Sequence, residues 1–385
     1  MLAPVTFDYS IRLQYETEPG AAFVFALLPA RTHQQQLAME RLRVRGATVQ
    51  SVFTEAATAT RYLHVAARGG TLQVELDAQV RLLQTEMSVA GLRREPHAVP
   101  LARPESLRFL LPSRYCPSDR LTGLCEDAFI GIDEPHARFL AIDDWLRRHV
   151  RTTLPATGAA LPATGGVAPL PPGAAEVLER GRGTPRDLAH LMIALCRASR
   201  LPARYVTTVP FETTAAGDLY PWVEVLIEGA WLACDPGRRV PRTALIRIGT
   251  GRDAADAPLV IGHGPIAAGR AELSIRSIGT DAVTLRARDR AAEAICTATL
   301  GSLGEATRWH QEARLAARRH GSAVTAQAAP RRVASPASPA SPSSPASPSS
   351  PVPAPRGARI LAFPGSNAPR GVDAAGLPGS CFEPT

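Results

Sequence analysis

Gly183-Thr184-Pro185-Arg186-Asp187-Leu188-Ala189-His190 runs straight into Leu191-Met192-Ile193-Ala194-Leu195-Cys196-Arg197-Ala198. Thr184 is a favoured N-cap residue, and Pro185 falls at the first helical position, where a missing amide costs nothing. Leu188, Leu191, Met192 and Leu195 recur at helical spacing. They predict a helix over 186–199 with one buried stripe.

Downstream the period changes. Three strands are expected at 203–209, 219–227 and 231–234, with Glu228-Gly229 turning the chain between the last two. Upstream, 139–150 and 174–179 read as helices, the first carrying Leu140, Trp145 and Val150. Between them 152–172 is rich in Ala, Gly, Thr and Pro, the composition of a surface loop. A helix followed by antiparallel strands indicates an α+β domain.

The first hundred residues have a β pattern. Val5, Phe7, Tyr9, Ile11, Leu13 and Tyr15 alternate with the polar Asp8, Ser10, Arg12 and Gln14. Leu72, Val74, Leu76, Ala78, Val80 and Leu82 repeat the alternation, as expected for strands with one face on a core. Gly69-Gly70 reads as a hairpin turn after a strand at 62–66, and shorter strands are expected at 23–28 and 42–44. Together these suggest a small β-sandwich. The organisation expected is therefore a β-sandwich over 1–95, an α+β core over 96–285, a helical segment over 286–329 and a tail over 330–385. The Ser-Pro-Ala repeats of the tail cannot bury enough apolar surface to offset ordering entropy, so it should be disordered. Ile360–Phe363 is an apolar island within it, and Trp309 marks either an amphipathic partner helix or a solvated helix with one aromatic anchor.

All 43 basic residues are arginine, and the net charge is +8. The arginines are spread along the chain rather than gathered on one element, which gives no clear nucleic-acid signal. No run of about 18 apolar residues suggests a membrane span. The N-terminus enters a strand pattern without a basic and then apolar leader, so a cytoplasmic setting is expected. Six cysteines (Cys116, Cys125, Cys196, Cys234, Cys296 and Cys381) show no CxxC and no paired zinc spacing. They read as reduced thiols, and neither a metal nor a cofactor is expected.

The opening stretch resembles the active-site motif of bacterial transglutaminase-like proteins, roughly Gly-x-Cys-Arg-Asp-Phe-Ala-His. Four further segments match in the family's order. Leu111–Leu121 resembles the segment between that family's two domains. Asp218-Leu219-Tyr220-Pro221-Trp222-Val223-Glu224-Val225 resembles Asp-x-x-His-Ala-Trp-Val-Glu. Trp231-Leu232-Ala233-Cys234-Asp235-Pro236-Gly237 resembles Trp-x-x-Asp-Pro-Thr. Residues 248–256 resemble the stretch after the family's aspartate. The resemblance spans roughly 1–285 and implies an N-terminal β-sandwich followed by a transglutaminase-like, papain-like core. In that arrangement a cysteine at a helix N-terminus attacks as thiolate, a histidine acts as base and then acid, and a carboxylate orients the histidine.

Here Pro185 occupies the nucleophile position and Tyr220 the base position; Asp235 alone keeps the family residue. Proline has no nucleophilic atom, and a phenol is a poor base at neutral pH. Pro221 also removes a ladder amide, so a bulge or an edge is expected there. Cys196 lies about 16 Å along the helix from Pro185, too far to substitute. Cys234 should point away from Asp235, Thr184 is occupied as a cap, and His190 has a structural role. The expectation is an inactive member of the family that binds a protein or peptide in its degenerate cleft. The alternative is an active amide hydrolase or acyl transferase using a non-standard site in the same cleft, built on Asp235 and Tyr220.

Overall fold

The computed structural model describes residues 2–88, 104–153, 173–209, 211, 215–216, 219–267 and 269–299. The chain divides into two units, Met1–Val324 and Thr325–Thr385; every described residue belongs to the first. Trp309, Cys381, the 360–363 island and the expected 330–385 tail lie outside the described residues, as does most of the 152–172 loop.

Strands β1 (Val5–Thr17), β2 (Ala22–Leu28), β3 (Gln35–Arg45), β4 (Ala47–Thr54), β5 (Arg61–Ala67), β6 (Gly70–Leu82) and β7 (Thr85–Met87) come first. Helices α1 (Pro104–Leu107), α2 (Thr122–Ala128) and α3 (Pro135–His149) follow, then β8 (Arg151–Thr152), α4 (Ala174–Arg180), β9 (Arg182–Gly183) and α5 (Pro185–Ala198). Next are β10 (Ala203–Thr208), β11 (Ala215–Ala216), β12 (Tyr220–Ile227), β13 (Ala230–Cys234), β14 (Thr250–Gly251), β15 (Val260–His263) and β16 (Arg270–Ile278). Helix α6 (Ala282–Ala291) and strand β17 (Ala294–Thr299) close the described chain.

Two sheets in the orders β11-β16-β1-β6-β3 and β15-β2-β5-β4 form the sandwich, their alternate side chains meeting in one apolar core. The structure corrects the sequence reading at several points. β5 and β6 lie in different sheets, so Gly69-Gly70 carries the chain across the sandwich instead of closing a hairpin. β4 had no clear pattern because six of its eight side chains are exposed. Residues 260–278, expected in the core domain, pair with the sandwich. β16 runs antiparallel along β1 from Thr6↔Ile278 to Gln14↔Arg270. Without it the 13-residue β1 would present a long open edge. Conversely, β7 pairs with β17 in the core sheet, and residues 294–299 of the expected helical segment are a strand.

The core sheet has the order β14-β10-β12-β13-β17-β7. Val223 and Val225 of β12 pack with α5, whereas Tyr220 and Trp222 pack into the sandwich core. Burial on both faces explains the nearly continuous apolar run of this strand. Helix α5 is covered almost all round: every residue from Leu188 to Cys196 is at most 2% exposed. The β12–β13 hairpin turns at Glu228 (φ 48°) and Gly229 (φ 78°), both in the left-handed region that a two-residue hairpin turn requires. Among the described residues no helix is long and apolar enough to cross a membrane.

Candidate functional site

Helix α5 begins on a reciprocal cap. The Thr184 hydroxyl accepts from the Asp187 amide, while Asp187 Oδ2 accepts from the Thr184 amide at 2.8 Å and from its hydroxyl at 2.9 Å. Gly183 must be glycine, because a Cβ there would stand 2.8 Å from Asp187 Cβ and 3.0 Å from Val177 Cγ1. Pro185 therefore sits buried at the first turn of an undistorted helix.

Pro221 costs the sheet nothing. Thr207, its partner in β10, directs its own amide and carbonyl to Gly249 and Ile248. The Thr207–Pro221 pair is thus a non-hydrogen-bonded one, and the Pro221 nitrogen faces the other way. On that side β13 has already ended, its last pair being Val223↔Cys234. The expected edge exists on one side only, and no bulge is needed.

The three positions singled out in the sequence converge on Gly237. A Cβ at Gly237 would overlap Tyr220 Oη and would lie 3.0 Å from Pro185 Cβ and 3.3 Å from Asp235 Oδ1. The Tyr220 hydroxyl donates to Asp235 Oδ1 at 2.7 Å. Oδ1 also accepts from the Gly237 amide at 3.0 Å, and Oδ2 from the amides of Arg239 (2.7 Å) and Val240 (2.8 Å). A carboxylate has about four acceptor sites, and all four are occupied here. Tyr220 and Asp235 are only 7% and 8% exposed. Burial and then the Asp235 charge push the phenol above its ordinary range; burial likewise raises the Asp235 carboxyl, against its four hydrogen bonds. The phenol keeps its proton and commits it to Asp235.

Residues 124–236 match the model of the transglutaminase-like superfamily. That span is a transglutaminase-like domain. The chain is similar to a candidate cysteine protease from Cytophaga hutchinsonii at 28% identity and a TM-score of 0.61, covering 72% of this chain and 92% of that one. It is also similar to the periplasmic domain of TgpA from Pseudomonas aeruginosa at 16% identity and a TM-score of 0.32, over 60% of this chain and 88% of that one. No curated protein sequence matches the chain.

The other sequence candidates occupy structural places in the transglutaminase-like domain. His190 is fully buried, stacked between Tyr115 and Tyr205 at centroid distances of 5.1 and 5.3 Å. Its Nε2 accepts from the Ala254 amide at 3.2 Å, and burial pushes its pKa down to about 3. It is a neutral packing residue. Cys234 turns toward helix α5, with Sγ 3.7 Å from Met192 Sδ, and Cys196 is buried within that helix. Burial raises all five described cysteine thiols, Cys116 to about 12 and Cys296 to about 11. None supplies a thiolate at neutral pH. Among the described residues no group of His, Cys, Asp and Glu is gathered to hold a metal.

Three features escaped the sequence reading. Gly237, where the family pattern has threonine, makes room for the phenol; its signal was the residue beside Pro236. Arg197, 4% exposed, donates to the carbonyls of Leu111, Ala203 and Arg252 and to Ser113 Oγ, tying both flanking motif segments to α5. Glu224, fully buried, accepts from Arg204 Nε at 2.6 Å, and from Arg247 and Thr297. Burial raises the Glu224 carboxyl, but the two guanidiniums outweigh it and hold it below its ordinary range. Burial lowers Arg204 to about 9 against the pull of Glu224, and its guanidinium lies 3.8 Å over the Trp231 ring. A charged residue between Val223 and Val225 on an otherwise apolar strand was the available signal, since a buried charge needs a partner.

Proposed function

We propose that the protein is a catalytically inactive transglutaminase-like module that binds an extended protein or peptide segment. The buried Tyr220–Asp235 hydrogen bond of 2.7 Å, packed against Pro185 and Gly237, carries the reading. It occupies the place where nucleophile, base and orienting carboxylate would have to meet a substrate. Losing the nucleophile or the base alone costs on the order of 10⁶ in turnover in a serine hydrolase, and here both positions are changed. The alternative, an amide hydrolase or acyl transferase working through Asp235 and Tyr220, needs an open polar cleft. Both side chains are instead buried, and the carboxylate has no acceptor left for a water or a base. Five free buried thiols suit a reducing cytoplasm, which we include in the proposal.

The test is hydrolysis of a fluorogenic peptide amide, together with amine incorporation into a glutamine peptide. Wild type is expected to stay at the buffer rate, with the Pro185→Cys/Tyr220→His double variant run alongside as the form with nucleophile and base restored. Wild-type turnover that Asp235→Ala abolishes without unfolding the domain would overturn the proposal.

A further inference from the structure

A groove of about 290 Å³ opens beside the closed site, with Leu188 of α5 and Pro236 on its wall. Its polar lining is one-sided: Arg147, Arg148, Arg151 and Arg238 against Asp143. These arginines come from two stretches of chain, 147–151 and the turn at 238. Arg147 and Arg148 lie in the last turn of α3, where they complement the negative end of the helix dipole and share Asp144. Arg151 opens β8, and Arg238 follows the Asp235-Pro236-Gly237 turn. Arg238 pairs with Asp143 at 2.6 Å and is still 51% exposed. Convergence of these two stretches leaves cationic charge in excess within one concave surface, the arrangement that selects anionic partners.

The backbone adds a second element of recognition. β8 pairs in parallel with β9; the Arg151 amide donates to Gly181 O at 2.9 Å, and the Thr153 amide to Gly183 O at 2.7 Å. Alternation along a strand then turns the Thr152 amide and carbonyl away from β9. Thr152 lines the groove, so a backbone donor and acceptor sit beside the arginines, as strand addition by an extended peptide requires.

We infer that this groove binds an extended acidic segment of another protein, glutamate- or aspartate-rich, through arginine–carboxylate pairing beside the β8 edge. The inference rests on the peptide-binding reading proposed above. The two longest undescribed segments of the chain do not supply the complement. Residues 301–385 hold nine arginines against four acidic residues, and 154–172 hold no charged residue at all. The occupant proposed is therefore a segment of a partner in trans.

Fluorescence anisotropy of the full chain with labelled ten-residue Glu/Ser, Gln/Ser and Arg/Ser peptides at low and high salt tests this. The Glu/Ser peptide should bind at least tenfold tighter than the Gln/Ser peptide at low salt. Arg151→Glu and Arg238→Glu, each checked for native circular dichroism, should each weaken it at least tenfold. Arg43→Glu changes net charge equally but lies on the sandwich strand β3; it should alter binding less than twofold. Equal weakening by Arg43→Glu overturns the groove assignment. So does a single-stranded ten-mer oligonucleotide that binds more tightly and responds to the same groove variants. If the Gln/Ser peptide binds as well as the Glu/Ser peptide and ignores the arginine variants, acidic recognition falls while the peptide module stands. If no peptide binds, both fall.

Discussion

Replacing Gly237 by alanine tests the closed site directly. The added methyl would overlap the Tyr220 hydroxyl, with Pro185 Cβ behind it at 3.0 Å and Asp235 Oδ1 at 3.3 Å. The proline is fixed in the first turn of α5, so the phenol must yield. Overpacking of this kind costs about 1–3 kcal/mol. Displacing the hydroxyl also weakens a hydrogen bond to a buried carboxylate, worth about 1.5–3 kcal/mol. The two costs share one relaxation, so Gly237→Ala should destabilise the domain by roughly 2–4 kcal/mol. Tyr220→Phe alone should cost about 1.5–3 kcal/mol through the lost bond. With the hydroxyl already gone, Gly237→Ala should add less than about 1 kcal/mol, a coupling of at least about 1 kcal/mol in the double-mutant cycle. Urea unfolding followed by tryptophan fluorescence at pH 7.5 gives all four corners. Additivity within about 0.5 kcal/mol, or a Gly237→Ala cost below that, would show that the phenol and the glycine are not fitted to one another.

Two further substitutions probe what holds the domain around that site. Glu224→Gln leaves the Arg204 and Arg247 guanidiniums buried without their shared anion, and should cost about 3–5 kcal/mol by urea unfolding; a loss under about 1 kcal/mol would mean the cluster is solvated. His190 gives a pH signature. Its pKa in the folded chain is about 3 against an ordinary 6.5, so below pH 6.5 the unfolded chain takes up a proton that the folded chain refuses. Stability is therefore full above that pH and falls as pH drops toward 3. The His190 contribution between pH 7.5 and 5 is a loss of about 2 kcal/mol. Comparing the wild-type stability change over that range with that of His190→Phe cancels the other titrating groups, and equal slopes would refute a buried neutral imidazole.

The sequence carried local structure better than it carried partnership. The Thr184-Pro185 helix start, the buried stripe of α5 and the Glu228-Gly229 turn were legible because cap, period and turn chemistry act over a few residues. The pairing of β16 with β1 was not, although Ala271, Leu273 and Ile275 are buried between exposed Arg270, Glu272 and Arg276. Period reports that a strand has one buried face, never which sheet covers its edge, and more than 250 residues separate these two strands. β4 gave no signal at all, since a mostly exposed strand has no burial period to read. In the site, the substitutions at 185 and 220 and the retained Asp235 were readable one by one, while their dependence on Gly237 required the fold.

That dependence bears on how the site should be understood. A domain that had only lost its nucleophile would keep a histidine beside Asp235 and an open space in front of it. Here the phenol takes the carboxylate's remaining acceptor position, the glycine leaves the volume the phenol needs, and the proline fits both the helix start and the packing behind them. The helix that would activate a thiolate in the family's arrangement is capped by Thr184 and Asp187 and buried here. What it now presents is a rigid wall: Leu188 and Pro236 flank the arginine groove, and the Tyr220–Asp235–Gly237 contact fixes the turn from which Arg238 projects. If the acidic-segment inference holds, loosening the plug by Gly237→Ala should weaken binding of the Glu/Ser peptide even though no groove side chain has changed. Unaltered affinity in a folded Gly237→Ala variant would separate the closed site from the groove and leave the plug with a purely structural role.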